Sequence, residues 1–477
     1  MKKTDRFYVL TDTHYVSKKN FTENSGFRSR ERGDQIALTV GPEILRSFFD
    51  KIIADPLADA VLITGDLINN GDINSHEDFR EELKVLTDAG KRVFVTTATH
   101  DYCGMGEDEN FFKSIKYTEN GTVPIPHIRK SELLPFYYDF GPKQSDSVHE
   151  ESGSYSLKLF DGVRLIAIND NGNGRSHCGL FEDGVKWLEN EIDKANLNGE
   201  KVLLAVHHPV IPPWDVYRHL VDFEMYGGYK ELMRMMCDKG VKVIFTGHTH
   251  VQSIRKYTDD AGNWFYDVAT TAAVSAKGKM RKVDISSDRK TCSISSVGIE
   301  TIKGVDTGGK SAGEYIYGLN FIGLLDNSLP LLNKDFNAFI EGVDGLLPVD
   351  KLKAHPHLSK FALNRLQKLK LSTIAKLSKK YTGMSHKDIK NLGDKKVLPD
   401  LIEVVADVFG GNAPFTPDTP TYKVFTGFTR KIDKLNSRLH IKALNKIIPD
   451  GQTLTDVAEP MLYNNRTGDD DNLIFEL

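Results

Sequence analysis

Residues 61–71 read VLITGDLINNG, a short apolar run that ends in a glycine and an aspartate. Residues 61–64 predict a buried strand, because continuous runs of aliphatic and β-branched residues fill the interior of a layered sheet. Gly65 marks the end of that strand and leaves Asp66 in the loop that follows. In open α/β sheets, ligands bind at the carboxyl ends of the strands. The stretch therefore predicts a strand with a functional carboxylate directly after it.

The residues after this stretch predict a helix and another strand. Large apolar residues recur at helical spacing from residue 79 to residue 86, and Gly90 follows the end of the pattern. Ser75 and Asp78 resemble a capping box, so we expect the helix to begin at Ser75. The next apolar run occupies residues 93–97 and completes a strand–helix–strand unit.

The same alternation continues through most of the chain, which is the pattern of a layered α/β domain. Helical spacing around Trp187 and around Leu232 predicts two further helices between the apolar runs. We place this domain at residues 1–304. Its six predicted strands are residues 7–10, 61–64, 93–97, 163–168, 202–206 and 243–246.

Beyond residue 304 the sequence changes character. Leucine, phenylalanine and lysine recur at helical spacing, and prolines and glycines separate the segments, so we place a mainly helical second domain at residues 305–477. Its stretch 351–396 is strongly basic, and it either faces a phosphate-bearing ligand or partner or forms a solvated helix face. The only low-complexity feature is the acidic triplet 469–471.

The bulk composition is that of a globular protein with more than one domain. Of the 477 residues, 40% are hydrophobic and 27% are charged, and the formal net charge is -4. This charge argues against a nucleic-acid partner attracted by a global positive field. The four cysteines form no CxxC pair, which argues against a thiolate zinc site. Because no secretory apolar segment and no membrane-length apolar run is found, we predict a cytoplasmic protein without a membrane segment.

Aspartate and histidine side chains follow five of the predicted strands. The one-residue spacing in Asp12-Thr13-His14 and in His248-Thr249-His250 puts alternate side chains on one face of an extended backbone. Carboxylate oxygens and neutral imidazole nitrogens are ligands for hard or borderline divalent metals. Each pair alone arises readily by chance, but five such loops on one edge predict a two-metal site. The residues are Asp12, His14, Asp66, His100, Asp101, His207, His208, His248 and His250.

Five motifs in the first domain resemble those of the calcineurin-like metallophosphoesterase family and stand in the family's order. The resemblance implies a four-layer α/β sandwich, in which two packed β-sheets are flanked by helices, and a binuclear metal centre that hydrolyses phosphate esters. The residues around Asp66 are most similar to bacterial cyclic-nucleotide phosphodiesterases and therefore favour a phosphodiesterase. The motifs are Asp12-x-His14, Gly65-Asp66-x4-Gly71, His100-Asp101, His207-x-Pro209 and Gly247-His248-x-His250.

The resemblance also implies a ligand set for two metal ions. Asp66 is expected to bridge the ions, and a hydroxide generated between them to attack phosphorus in line. Manganese, iron or zinc suits such a mixed nitrogen and oxygen site. One ion is expected to be held by Asp12, His14 and His250, and the other by His207 and His248.

The third motif carries the expected proton chemistry and the one departure from the family pattern. By resemblance, His100 stabilises or protonates the leaving oxygen, and Asp101 orients the His100 ring. The family has an asparagine before this histidine as a ligand of the second metal, and Thr99 stands there in this chain. A hydroxyl is a shorter and weaker donor than an amide carbonyl, so we expect weak or water-mediated ligation by Thr99.

Substrate contacts are predicted near the metal loops. Asn171 and Arg175 belong to an Asn- and Gly-rich segment that follows a predicted strand, and Arg175 would bind a phosphate as a bidentate donor. An Asn- and Gly-rich turn also forms without any function. His208, beside His207, either lines the pocket or packs against the sheet. The predicted partner is a small phosphate ester, and the sequence carries no signal for subunit number.

Two other classes of function fit the same residues. A two-metal clamp treats phosphoryl groups alike, so a phosphomonoesterase or a phospholipid-type diesterase competes with the cyclic-nucleotide phosphodiesterase. The threonine at position 99 and the basic helices leave open a weakened metal-binding or scaffold protein. Retention of the other ligand positions favours catalysis.

Overall fold

The first strand of the chain, β1 (Thr4–Leu10), is covered on both faces. Phe7 and Val9 point into one hydrophobic core, and Tyr8 and Leu10 point into another. The two cores arise because successive side chains of a strand face opposite sides of its sheet. The part of the strand that is buried on both faces must be apolar, which explains why residues 7–10 read as a continuous apolar run.

The structure, a computed structural model, divides into two units. One comprises Met1–Pro213, Phe223–Asn320 and Gly468–Leu477, and the other comprises Trp214–Asp222 and Phe321–Thr467. The domain bounds 1–304 and 305–477 stay a prediction. In the structure, residues 472–476 pair with a strand of the first unit. The residues described are 4–22, 25–32, 34–102, 114–170, 178–214, 225–320, 323, 328–343, 349–411, 415–439, 451–463 and 469–477.

The first unit is built on two large sheets and a separate two-stranded hairpin. All six predicted apolar runs form strands at the predicted places. The strands after β1 are Ala58–Thr64 (β2), Arg92–Thr96 (β3), Ile115–Thr118 (β4), Gly121–Pro124 (β5), Ser147–His149 (β6), Ser154–Phe160 (β7), Val163–Ala167 (β8), Lys201–Ala205 (β9), Val243–Thr246 (β10), Ser253–Thr258 (β11), Trp264–Ala269 (β12), Met280–Ser286 (β13), Thr291–Val297 (β14) and Asn472–Glu476 (β15).

The parallel strands lie in the interior of the second sheet and on one side of the first. The first sheet has the order β15-β14-β13-β1-β2-β3, and the second has the order β11-β12-β10-β9-β8-β7-β6. Strands β1, β2 and β3 are parallel, and so are β8, β9, β10 and β12. Parallel neighbours end at a common edge, so the loops that follow them come together there.

The strands that the sequence did not reveal are mostly antiparallel. In β13 and β14, fully buried residues alternate with partly exposed ones. Such strands have polar residues at every second position, so they lack the continuous apolar run that marks a buried parallel strand. The last strand, β15, is short and follows the acidic triplet, where no strand was expected.

Helices flank the sheets of the first unit and form most of the second unit. In the first unit they are Ser25–Arg32 (α1), Gly41–Ile53 (α2), Ile73–Asp88 (α3), Lys130–Phe136 (α4), Glu182–Leu197 (α5), Tyr229–Asp238 (α6) and Ala312–Leu319 (α7), with short 3-10 helices at Lys18–Asn20, Thr99–Asp101 and Pro142–Gln144. In the second unit they are a 3-10 helix at Leu329–Leu331 and Phe336–Gly342 (α8), Val349–Ala354 (α9), Pro356–Lys368 (α10), Leu371–Leu377 (α11), Lys379–Thr382 (α12), His386–Asn391 (α13), Val397–Gly410 (α14), Pro420–Leu439 (α15) and Leu454–Leu462 (α16).

Three hydrophobic cores stack the first unit into four layers. Between the sheets, Leu62 and Phe94 of the first sheet share a core with Leu203 and Phe245 of the second. Helices α2 and α3 cover the outer face of the first sheet, and α5 and α6 cover the outer face of the second. The predicted sandwich of two packed sheets flanked by helices is confirmed.

The second unit is mainly helical, as predicted. Tyr422 and Val424 of α15 form a core with Leu371 and Ile374 of α11. Helix α10, in the middle of the basic stretch, has no fully buried residue. Within the described ranges of the chain, no helix combines the length and the apolar character that crossing a membrane requires.

Helix α3 begins earlier than predicted. Its N-cap is Asp72, whose side chain accepts a hydrogen bond from Ser75 N at 2.7 Å. Ser75 lies inside the first turn, where its hydroxyl accepts from Ser17 N at 2.9 Å. Asp78 accepts from Ser17 Oγ instead of closing a capping box. The prediction of a start at Ser75 was wrong because a better cap stands three residues before it.

Replacing the cap tests this assignment. Asp72→Ala is expected to lower the free energy of unfolding by about 1–2 kcal/mol, because it removes the acceptor for the first turn of α3. Glu77→Ala, at an exposed position of the same helix, is expected to change it by less than about 0.5 kcal/mol. Urea unfolding followed by circular dichroism measures both, and equal effects from the two variants would contradict the assignment.

Candidate metal centre

Six side chains meet at the carboxyl edge of the parallel strands. They come from the loops after β1, β2, β9 and β10, and they form two groups. Within each group, the possible ligand atoms lie within 4.8 Å of one another. Each group combines residues from both sheets, so the packing of the sheets assembles it. The groups are Asp12, His14 and His250, and Asp66, His207 and His248.

The first group is buried. The Nε2 atoms of His14 and His250 lie 3.0 Å apart, and Asp12 Oδ1 lies 3.7 Å from the former and 3.3 Å from the latter. The other ring nitrogen of His250, Nδ1, lies 3.0 Å from Gln35 Nε2, which donates to it in this orientation of the amide. The flipped amide, with Oε1 toward Nδ1, would instead accept a hydrogen bond from Nδ1 and leave Nε2 of His250 available as a ligand.

The second group adjoins the first through His207. Its Nε2 lies 2.9 Å from Asp66 Oδ2 and 3.7 Å from Asp12 Oδ1. Its Nδ1 lies 2.7 Å from the carbonyl oxygen of Thr64, an acceptor that requires a proton on Nδ1. This hydrogen bond commits the Nδ1 proton, so Nε2, which faces the two carboxylates, is the ring nitrogen left to bind a metal ion.

The backbone of the site is strained. Among the described residues other than glycine, positive φ is found at Arg289 and at five of the six residues of the two groups. Such left-handed conformations cost about 1–3 kcal/mol each for residues that carry a side chain. They persist only where the surrounding structure enforces them, which is typical of functional sites. The five residues are Asp12 (φ 49°), His14 (38°), Asp66 (46°), His248 (67°) and His250 (57°).

Two glycines allow the loops to approach one another. A Cβ atom on Gly65, which has φ +80°, would lie 2.7 Å from atoms of the His207 side chain. A Cβ atom on Gly247 would lie 2.5 Å from Asp12 Oδ2. Any side chain at either position would therefore displace a member of the site.

The carboxylates of the site are held in their ionised form. Burial alone raises the pKa of Asp12, but His207 and His250 outweigh it and hold the pKa well below its usual range. For Asp66, burial is likewise outweighed, by His207 and His100, and the pKa is again well below normal. Burial lowers the pKa of His207, but Asp66 and Asp12 raise it to about 10. This negative potential favours a bound cation.

Two buried atoms at the junction of the groups fit a metal ion. Asp12 Oδ1 is buried without a hydrogen-bond partner among the residues that the structure describes, and His207 Nε2 beside it faces only the carboxylate oxygens of Asp66 and Asp12. A buried polar atom in this state costs about 1–3 kcal/mol, and a cation between the groups would satisfy both atoms. The nitrogen and oxygen donors suit manganese, iron or zinc. The side chains present therefore fit the predicted pair of ions.

The loop after β3 contacts the site through Asp66. The 3-10 helix Thr99–Asp101 places His100 N 3.0 Å from Asp66 Oδ1, to which it donates. The His100 ring lies edge-on to the His14 ring, with centroids 4.8 Å apart. Its Nδ1 lies 2.7 Å from the carbonyl oxygen of Asn69, and burial lowers the pKa of His100 to about 4. The ring is therefore neutral at pH 7 and held at the rim of the site.

Asp101 does not orient the His100 ring, contrary to the prediction. Its carboxylate accepts hydrogen bonds from Ile68 N at 3.0 Å and from Ala98 N at 2.8 Å. It therefore joins the loop after β2 to the loop after β3. The contact with the ring is made by Asn69 O, which lies in the first of these loops.

The predicted substrate contacts stay a prediction. Asn171 and Arg175 lie outside the described residues. His208 is 1% exposed, with Nδ1 2.7 Å from Asp170 Oδ2 and its ring centroid 4.0 Å from that of His248. This burial favours the alternative in which His208 packs against the sheet, and its predicted contact with substrate stays a prediction.

Two residues near the site were missed from the sequence. Asp170 lies in the loop after β8, so the rule that located the other loops could have found it. Gln35 lies in an irregular segment away from any strand, where no sequence pattern marks it. Thr99, predicted as a weak ligand, is buried in the loop of His100, and its role stays a prediction.

A pair of His/Asp groups at the edge of a four-layer α/β sandwich is the arrangement of a binuclear metal centre. The model of the calcineurin-like phosphoesterase family matches residues 5–252, more than half of the chain. The chain belongs to this family, and the resemblance carried by the five motifs is confirmed.

Three curated relatives are similar to part of the chain. A probable glycerophosphodiester phosphodiesterase of Arcobacter nitrofigilis is 26% identical over 41% of this chain and 58% of its own length. A probable cyclic nucleotide phosphodiesterase of Coxiella burnetii is 26% identical over 40% of this chain and 60% of its own. Sphingomyelin phosphodiesterase 1 of Caenorhabditis elegans is 24% identical over 43% of this chain and 36% of its own length. The chain thus aligns with about 60% or less of the length of each relative.

Solved structures are similar at lower identity. A dimetal phosphatase from Danio rerio has a TM-score of 0.44 and 12% identity, and the match covers 62% of this chain and 97% of that protein. A purple acid phosphatase from yellow lupin has a TM-score of 0.42 and 11% identity, and the match covers 62% of this chain and 52% of that protein.

The close approach of Gly65 to His207 predicts a selective loss of metal. Gly65→Ala is expected to abolish binding of one of two Mn²⁺ ions, because the new methyl group displaces the His207 ring. Gly240→Ala is the control, since Gly240 also has positive φ (72°) but nothing lies within 4 Å of its Cβ position. It is expected to lose only about 1–2 kcal/mol of stability. Calorimetric titration of metal-stripped protein measures binding, and full binding by Gly65→Ala would contradict the assignment.

Proposed function

We propose that this protein is a binuclear metal-dependent phosphodiesterase. The observation that carries the proposal is the pair of adjoining His/Asp groups, joined where His207 Nε2 lies 3.7 Å from Asp12 Oδ1. Within the proposal, one ion would be held by Asp12, His14 and His250, and the other by His207 and His248. Asp66 would be shared by both ions, which agrees with its contact to His207 and with its position close enough to His14 and His100 for their charges to act on its pKa.

The chain's own residues prepare the site for an anionic substrate. When bound, two such ions polarise the phosphoryl oxygens and supply the nucleophile at neutral pH. Thr64 O and Asn69 O fix the rings of His207 and His100 by accepting from their Nδ1 atoms. With its one proton on Nδ1, the neutral His100 ring would have to take up a proton at Nε2 before it could give one to the leaving oxygen. Thr99 is a weak or water-mediated ligand in this scheme.

The relatives support a diester in preference to a monoester. All three curated relatives are named phosphodiesterases, and their names refer to a glycerophosphodiester, a cyclic nucleotide and sphingomyelin. We favour a cyclic-nucleotide-like diester, because the residues around Asp66 are most similar to bacterial enzymes of that type. A phospholipid-type diester or a monoester is the alternative within the family. The cytoplasmic location stays a prediction from the sequence.

A metal-binding or scaffold role is the alternative outside catalysis. It rests on one observation, the threonine at position 99 where the family has an asparagine ligand. Against it, the six charged or imidazole side chains are all present and brought together. A decayed site would be expected to lose such ligands as readily as the asparagine.

Paired substrates test the proposal directly. Metal-stripped protein titrated with Mn²⁺ is expected to hydrolyse bis(p-nitrophenyl) phosphate faster than p-nitrophenyl phosphate. Asp66→Asn is expected to reduce both rates to the metal-free blank without unfolding the protein, because it removes the bridging charge and keeps the side-chain size. Preference for the monoester would favour the phosphomonoesterase, and no turnover with any metal would favour the binding role.

The departure at position 99 gives a second test. Thr99→Asn is expected to tighten the second Mn²⁺ about tenfold, because an amide carbonyl reaches further and donates more strongly than a hydroxyl. Thr99→Val is the matched control without a ligand atom. The concentration of Mn²⁺ that gives half-maximal hydrolysis measures both, and an unchanged value in the two variants would exclude position 99 from the metal site.

A further inference from the structure

The last residues of the chain contact the loop that carries His248 and His250. Asp470 is fully buried, and its Oδ1 accepts a hydrogen bond from Ile254 N at 2.9 Å. Asp471 Oδ1 accepts from Gln252 Nε2 at 3.1 Å. Two of the three residues of the acidic triplet are thus not solvated, although Asp469 is exposed. The triplet contacts the segment that directly follows His250, more than 200 residues earlier in the chain.

The Gln252 side chain also hydrogen-bonds to residues of two neighbouring strands and their loops. It is completely buried, and its Oε1 accepts from Thr271 N at 3.1 Å, just after β12. Its Nε2 also donates to Ser296 Oγ of β14 at 2.7 Å. Ser296 Oγ in turn donates to Asp471 O at 3.1 Å. The residue two positions after His250 is therefore tied to both sheets and to the C-terminal segment.

Two cations and one strand hold the acidic triplet in place. Lys279 Nζ lies 2.7 and 2.8 Å from the two carboxylate oxygens of Asp471. The guanidinium of Arg281, which is fully buried, donates to Asp470 O and to Ser296 Oγ. Strand β15 then pairs with β14 along its length. The contact is thus supported by charge pairing on one side and by a sheet on the other.

The loop needs anchors at both ends because its ligands are strained. His248 and His250 have φ of 67° and 57°, which cost about 1–3 kcal/mol each unless neighbours enforce them. Before the ligands, Gly247 N donates to His207 O at 2.9 Å, and His248 N donates to Asp12 Oδ2 at 3.0 Å. After the ligands, the anchors are Gln252 and the acidic triplet.

We infer that Asp470 and Asp471 are positioning residues of the metal site, which they hold by fixing the segment after His250. This role rests on the proposed function. Because His250 belongs to the group of Asp12 and His14, the ion of that group depends most on the anchor. The family match ends at residue 252, so Asp470 and Asp471 lie outside it.

A double-mutant cycle in the full-length protein tests the inference. Asp471→Ala and Gln252→Ala are each expected to weaken one of two Mn²⁺ sites about 10- to 100-fold, the range for loss of a group that orients a metal ligand. The double variant is expected to lose little more, because both changes break the same contact. Asp471→Asn keeps an oxygen that can accept from Gln252 and is expected to restore part of the affinity. Calorimetric titration of metal-stripped protein, well below its melting temperature, provides the readout.

Ile285→Ala is the control for general destabilisation. Ile285 is fully buried between the sheets and pairs with Asp5, at the amino end of β1 and away from the site. The Ile285→Ala variant is expected to have a lower melting temperature and unchanged affinities for both Mn²⁺ ions. Wild-type affinity in Asp471→Ala and Gln252→Ala, or equal losses in Ile285→Ala, would overturn the inference. Failure of the wild-type protein to bind two ions would instead overturn the proposed function.

Discussion

The buried carboxylate of Asp12 is the group on which the rest of the structure depends. One of its oxygens accepts from His248 N and from Thr11 Oγ1, and the other faces the Nε2 atoms of three histidines. A negative charge in the interior is costly unless opposite charge or donors surround it. The loops after β1, β9 and β10 must therefore keep their positions around one carboxylate, although they come from two different sheets.

This dependence makes the site a product of sheet packing. Each His/Asp group draws on both sheets, because β1 and β2 belong to one sheet and β9 and β10 to the other. The core between the sheets sets the distance across which the ligands meet. The strained backbone of the ligand loops is tolerated for the same reason, since packed strands on both sides and the C-terminal segment hold the loops.

The sequence predicted the parallel part of the fold well and the rest poorly. Runs such as residues 61–64 are buried on both faces, so every residue in them is apolar or β-branched and the strand is recognisable from the sequence alone. The helix start at Ser75 was wrong because a better cap stands at Asp72, and the place of β15 in the first unit depends on its partner strand β14. The six ligand candidates that meet in the structure could be named because each lies in the loop that follows a strand.

What the sequence determined by itself is therefore local: which segments are buried strands, which residues follow them, and which donor atoms those residues offer. The tertiary structure decided how these atoms combine. In the structure, Asn69 and not Asp101 contacts the His100 ring, and His208 is buried. Gln35 contacts His250, and the acidic triplet contacts the segment that follows His250. Contacts between residues distant in sequence depend on how the two sheets pack, and no local pattern encodes that packing.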